Sequence, residues 1–219
     1  MNIDEKEFEE VKRLGSSKYL VSKDRELFVK ISDNKEALKE EYEALKKMNK
    51  KDPVEGLDFV EPIKVEDNKL ITKYIEGTEN LIETLDPDLF RKFGERLKEF
   101  HEAGYTLGGS QINDVLYKNQ KFTITDLGKN LGKKTPEYDI ATFKESLEVK
   151  KIKKPWKSFL YNNCFKSFLK GYGEMEKKKF EKEYKNRIEY TIEKFKKKGI
   201  TGKFKAIILI LADKIGFMD

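Results

Sequence analysis

Apolar residues recur along this chain with two different periods, and the change of period divides it. Up to about residue 77 the dominant pattern is alternation. Glu9 to Leu14, Lys18 to Ser22 and Glu26 to Ile31 each read as a short strand. The polar turns Gly15-Ser16-Ser17 and Lys23-Asp24-Arg25 separate them. Phe59–Val65 and Lys69–Tyr74 repeat the pattern around Glu66-Asp67-Asn68, and Ile75-Glu76-Gly77 reads as an extended exit. One interruption is helical. Leu38, Tyr42, Leu45 and Met48 form a stripe over about Lys35–Asn49, with Asn34 placed to cap it. Five strands and one helix predict a small lobe over residues 1–77.

From Asp86 the period becomes helical. Asp86 can cap a helix with Pro87 in its first position, and Leu89, Phe90, Phe93, Leu97 and Phe100 keep the spacing. His101, the sole histidine, closes that helix before Gly104 and reads as structural. Alternation returns once: Val115–Tyr117 hairpins through Lys118-Asn119-Gln120 into Phe122–Thr125. Further helices are expected from Tyr138, over Trp156–Tyr172 and over Glu174–Lys198. Phe159, Leu160, Phe165, Phe168 and Leu169 are the expected core of the second of these. Phe180, Tyr184, Ile188, Ile192 and Phe195 are the expected core of the third. Residues 78–219 therefore predict a helical lobe, and the fold class is α+β.

Composition narrows the function classes. Hydrophobic residues make up 37% and aromatics 12%, enough for a real core. Cys164 is alone, which excludes a disulfide framework and a cysteine metal site. The first residues, Met1 to Lys6, lack the apolar run of a secretory signal, so a cytoplasmic setting is expected. Ala206–Ala212 is apolar but too short to span a bilayer, so it reads as a buried helix or a membrane-surface segment. Net charge is +6, unevenly placed: from Lys150 to Ala206 basic residues exceed acids by about 13. That excess is either a solvated helical surface or a face for an anionic partner. An anionic membrane surface at the inner face of the membrane is one such partner; nucleic acid ranks last, because no RNA-reading motif is present.

The candidate chemistry lies where strands end. Asp126-Leu127-Gly128 follows the strand Lys121–Thr125. A carboxylate at the open end of a strand, with a glycine turning the chain away, is suited to hold Mg²⁺ against a phosphate. Lys30 lies mid-strand, with Val29 and Ile31 on the opposite face. Glu41 sits on a flank of the following helix's stripe, where it can reach a strand lysine; Glu40 is less well placed. The Gly15-Ser16-Ser17 hairpin offers backbone N–H groups to a phosphate.

In this order the parts resemble the protein-kinase-like superfamily: five strands with a lysine on the third, an acidic helix, a hinge, a helical lobe, a loop hairpin and Asp-x-Gly. The resemblance covers about Glu9 to Phe143 and is to the small-molecule branch, the aminoglycoside phosphotransferases and the lipopolysaccharide core (heptose and Kdo) kinases. Phe100-His101-Glu102-Ala103-Gly104 matches Leu-His-x-x-Gly, and Tyr138-Asp139-Ile140-Ala141 matches Tyr-Asp-Leu-Ala, whose aspartate braces the catalytic loop. Compact size, Lys129 and the basic tail lean towards the lipopolysaccharide kinases.

The resemblance implies ATP and Mg²⁺ as ligands. Lys30 would grip the α/β-phosphates and pair with Glu41, and Gly15, Ser16 and Ser17 would cover the phosphates. Thr72, Lys73, Tyr74 and Ile75 would meet adenine. Asp126, with Asp114 in the place of the family's asparagine, would hold the metal. It also implies a sugar or glycolipid acceptor. One departure is severe: counted without gaps from His101, the family's general-base aspartate falls on Gly109, and a one-residue shift puts Gly108 there, so neither register supplies a carboxylate. Three outcomes stay open: an impaired phosphotransferase, an inactive pseudokinase that binds or regulates, and a protein that binds an anionic membrane or nucleic acid through its basic C-terminal helices. Oligomeric state is not legible.

Overall fold

The computed structural model describes residues 7–14, 17–51, 54–127, 131–197 and 199–216. It begins with an antiparallel sheet and one helix. The strands are β1 (Phe8–Leu14), β2 (Ser17–Ser22) and β3 (Leu27–Ile31), followed by α1 (Lys35–Asn49). After the short β4 (Leu57–Phe59) come β5 (Pro62–Glu66) and β6 (Lys69–Lys73). The sheet order is β1-β2-β3-β6-β5, so the expected five strands form one sheet with β3 at its centre. β3 alternates as its sequence requires: Val29 is fully buried while Lys30 points to the other face. The Asn34 side chain accepts the Ala37 N–H at 3.0 Å and starts α1, and Leu38, Leu45 and Met48 bury its stripe.

The second lobe carries β7 (Glu79–Asn80), α2 (Leu81–Thr84), α3 (Pro87–Glu102), β8 (Val115–Lys118) and β9 (Lys121–Ile124). Helices α4 (Pro136–Lys153), α5 (Ser158–Tyr172), α6 (Lys177–Lys196) and α7 (Gly199–Gly216) complete it. Asp86 caps α3 by accepting the Asp88 and Leu89 N–H groups, with Pro87 in the first turn. Helices α3 and α5 cross so closely that a side chain on Gly94 would collide with the Phe168 carbonyl and one on Gly171 with the Arg91 carbonyl. Phe90, Phe93, Leu97 and Phe100 fill the core of this lobe, and Leu45 and Met48 of α1 join the same cluster.

Two expectations are corrected. Phe59 does not begin a strand of the first sheet. β4 pairs in parallel with β9 in a second sheet, ordered β4-β9-β8-β7, and the Val60 N–H continues to the Ile124 carbonyl at 3.0 Å. The chain changes sheets at Val60–Glu61, just before Pro62, which has no N–H to give a ladder. Phe159 and Leu160 are not core: they are 73% and 41% exposed. The buried stripe of α5 is Tyr161, Cys164, Phe168 and Tyr172, set by the close crossing at Gly171. In α7, Ala206 and Leu209 are buried and Ile207 is exposed. No helix among the described residues is long and apolar enough to cross a membrane.

Candidate active site

The two lobes enclose a cleft of about 390 Å³. Lys30, on the face of β3 opposite the buried Val29, projects into it. Its ammonium donates to Glu41 Oε2 at 2.7 Å and to Asp126 Oδ2 at 3.0 Å. Three elements far apart in sequence thus meet on one charge: the central strand, the first helix and the turn after β9. Glu41 is 6% exposed, whereas the neighbouring Glu40 faces solvent. That choice follows from helix geometry, which places Glu41 one turn from the buried Leu38 and Leu45.

The electrostatics of the three groups are unequal. Burial alone would favour neutral Lys30, but the charges of Asp126 and Glu41 outweigh it, and the ammonium is held charged. Burial and the neighbouring Asp126 carboxylate push Glu41 up to about 8, against the pull of Lys30. One ammonium does not fully compensate two carboxylates in a half-closed cleft. A carboxyl raised in the folded state binds its proton there while the unfolded chain has lost it, so stability falls as pH rises from the free value towards 8. Glu41→Gln should therefore melt close to wild type at pH 5 and above it at pH 8, by a few kcal/mol at most. Thermal melts across that range check this. A variant that loses ground with rising pH would show that the ionised carboxylate stabilises the fold through Lys30.

The other expected site residues are placed as follows. Thr72, Lys73, Tyr74 and Ile75 all line the cleft along the end of β6 and the strand's exit. Thr72 is buried, and the Tyr74 N–H donates to the Glu26 carbonyl at 2.7 Å, which holds this segment against β3. Asp114 and Asp126 both line the opposite wall. Ser17 opens β2, paired with Leu14, and does not line the cleft. Gly15, Ser16, Gly128 and Lys129 lie outside the described residues.

Asp114 and Asp126 are fixed by short links. The Thr125 N–H donates to the Asp114 carbonyl at 2.8 Å, the Gln111 N–H to Asp114 Oδ2 at 2.8 Å, and the Ser110 hydroxyl to the Asp126 carbonyl at 2.6 Å. Carboxylate oxygens are the donors Mg²⁺ prefers, and the Asp126 side chain is 42% exposed to the cleft. Among the described residues no cluster of three or more His, Cys, Asp or Glu could cage a metal. Asp114 and Asp126 are two carboxylates on one wall, a donor type that Mg²⁺ takes together with phosphate oxygens and water.

Beneath this wall lies a second buried polar centre. Asp139, fully buried at the start of α4, accepts the Leu107 N–H at 2.6 Å and the Gly108 N–H at 2.9 Å. His101 Nε2 lies 3.2 Å from the same carboxylate and its Nδ1 2.8 Å from the Tyr172 hydroxyl. His101 is thus more than a helix end: it ties α3, α4 and α5 beneath the loop that carries Gly109. Its weak sequence signal was its position six residues before Leu107.

Gly109 has φ +124°, a conformation that side-chain-bearing residues resist. Among the described residues a Cβ there would meet the Tyr138 side chain, 3.7 Å from Cε1 and 3.8 Å from the hydroxyl. Arg187 donates to that hydroxyl at 3.3 Å. Tyr19, Phe28 and Leu70 from the first lobe and Leu116 from the second also line the cleft, and their roles were not legible beforehand. Apolar strand residues read as core, and only the pairing of the lobes turns them into walls.

No protein-family model matches this sequence, and no curated protein matches it closely enough to count as a relative. Solved structures do match in fold. Aminoglycoside phosphotransferase APH(3'')-Id from Streptomyces rimosus has a TM-score of 0.61 at 13% identity, over 82% of this chain and 91% of that one. A choline/ethanolamine kinase family protein from Mesorhizobium loti has a TM-score of 0.63 at 11% identity, over 95% and 87%. APH(2'')-IIa, solved as a ternary complex with streptomycin and ATP, has a TM-score of 0.61 at 14% identity, over 96% and 97%. The chain shares the two-lobed, protein-kinase-like fold of these structures.

Proposed function

We propose that the interlobe cleft binds Mg²⁺-ATP and that the protein is a kinase-like phosphotransferase of low turnover, directed at a sugar or glycolipid hydroxyl. On this reading residues 1–77 and 78–219 are the lobes that close on the nucleotide. The observation that carries the reading is Lys30 bonded to Glu41 and Asp126 at once, in a cleft whose other wall presents Asp114. In the fold's chemistry Lys30 holds phosphate oxygens and Glu41 holds Lys30 in place. Thr72 to Ile75 meet the base, and Asp114 and Asp126 carry the cation. When bound, Mg²⁺ neutralises charge on the phosphates. The binding residues orient the nucleotide and the half-closed cleft limits water. Ser17 is kept only as a residue near the phosphate-covering turn.

The weak point is proton removal from the acceptor. Gly109 offers no carboxylate there, and general-base catalysis ordinarily contributes about 10² to 10⁴ in rate. That same glycine favours a second reading, a pseudokinase that binds nucleotide and does no chemistry. ADP release separates the two. With Mg²⁺-ATP and a panel of sugar and glycolipid acceptors, slow release above the protein-free rate is expected, dependent on Mg²⁺ and lost in Asp126→Asn. Saturable nucleotide binding without release on any acceptor would support the inert reading instead.

A further inference from the structure

Three apolar side chains stand in solvent on one face of the molecule. Trp156 is 76% exposed, Phe159 73% and Leu160 41%. Trp156 lies in the 3-10 turn Pro155–Lys157 that leads into α5, and Phe159 and Leu160 lie one helical turn further on. Positions three and four apart share a face, so the three form one patch. The opposite face of α5 is satisfied: Tyr161, Cys164, Phe168 and Tyr172 bury it against the core. Trp156 and Phe159 thus leave most of their surface in solvent, and Leu160 two-fifths of its own.

Its surroundings are strongly one-signed. Between residues 149 and 173 the chain holds seven lysines and no acid. Lys150 and Lys154 share Glu83, and Lys151 pairs with Glu148. Lys157 sits beside Trp156 and exposed Lys166 two turns beyond Phe159. A tryptophan and a phenylalanine at the centre with lysines at the rim match a surface that is anionic outside and apolar within. A second copy of this chain would bring the same lysines face to face, which like-charge repulsion opposes.

We propose that Trp156, Phe159 and Leu160 form a docking face that seats the protein on an anionic lipid surface. The aromatic rings enter the headgroup boundary, and the lysines meet lipid phosphates. In the helical tail Ala206 and Leu209 are turned into the core, while Ile207 is exposed. The inference stands apart from the nucleotide cleft and needs no nucleotide for its test.

Trp156 is the sole tryptophan, so its emission reports on this face alone. The protein is titrated with phosphatidylcholine vesicles, with and without phosphatidylglycerol, some carrying brominated acyl chains. The expected result is a blue shift and bromine quenching with the anionic vesicles only. Both should weaken as salt rises from about 0.1 M to 1 M, where the screening length falls from about 10 Å to 3 Å. Lys157→Gln and Lys166→Gln should each lower partitioning about fivefold. Phe159→Ser with Leu160→Ser should lower it at least tenfold while cosedimentation of any residual bound protein stays salt-sensitive. Each variant must melt near wild type before its partitioning is read. Unchanged emission with anionic vesicles overturns the proposal. So does equal binding to neutral vesicles, a blue shift that follows protein concentration without lipid, or a shift with RNA in place of lipid.

Discussion

Replacing Gly109 with aspartate is expected to raise phosphoryl transfer by about 10², the lower end of what a positioned general base contributes. Among the described residues a Cβ fits at Gly109. The nearest atoms to a new Cβ are Tyr138 Cε1 and its hydroxyl, both at ordinary contact distance. The loop is already anchored below, because Asp139 holds the Leu107 and Gly108 N–H groups. The opposing term is backbone strain. At φ +124° an L-residue is disfavoured by about 1–3 kcal/mol, which lowers melting by roughly 2–4 °C per kcal/mol in a chain of this size. Gly109→Ala carries the same strain without the carboxylate and is the control. Turnover of the aspartate variant divided by that of the alanine variant isolates the carboxylate. A ratio near one, in proteins that both bind nucleotide, would show that one lost base is not what limits this chain.

The fold was legible wherever local pattern and tertiary contact agree. The Leu38–Met48 stripe and Asn34 specified α1, and Asp86-Pro87 specified the start of α3. Lys30, Glu41 and Asp126 were legible as a set because alternation fixes which strand face a lysine takes and helix period fixes which glutamate can reach it. Where a long-range choice decides, sequence was mute. Phe59 alternates as any strand residue does, and nothing local says that its partner is Ile124 in another sheet. Phe159 and Leu160 are as apolar as Tyr161 and Cys164. The close approach of two glycine-bearing helices selects which stripe is buried, and that approach involves Arg91 and Phe168 from different parts of the chain. His101 shows the same limit at the site, since its meaning depends on Asp139 and Tyr172, 38 and 71 residues away. Arg187 reaches Tyr138 across 49 residues and carries no motif at all.

The account rests on the cleft holding a nucleotide through Lys30 and Asp126, and the melting temperature with Mg²⁺-ATP tests this most directly. A ligand that binds only the folded state stabilises it by RT ln(1 + [L]/Kd), about 2.7 kcal/mol at a hundredfold excess over Kd. For a chain of this size that is a rise of roughly 5–10 °C. Lys30→Ala removes the group that holds phosphate, and Asp126→Asn removes the charge facing the cation. Lys30→Ala also takes the cation from buried Glu41, so each variant's ligand-free melting temperature is the baseline for its own shift. Wild type should therefore rise with millimolar Mg²⁺-ATP, rise less with ATP and a chelator, and lose the rise in both variants. No rise in wild type, or an equal rise in folded Lys30→Ala and Asp126→Asn, would contradict the account.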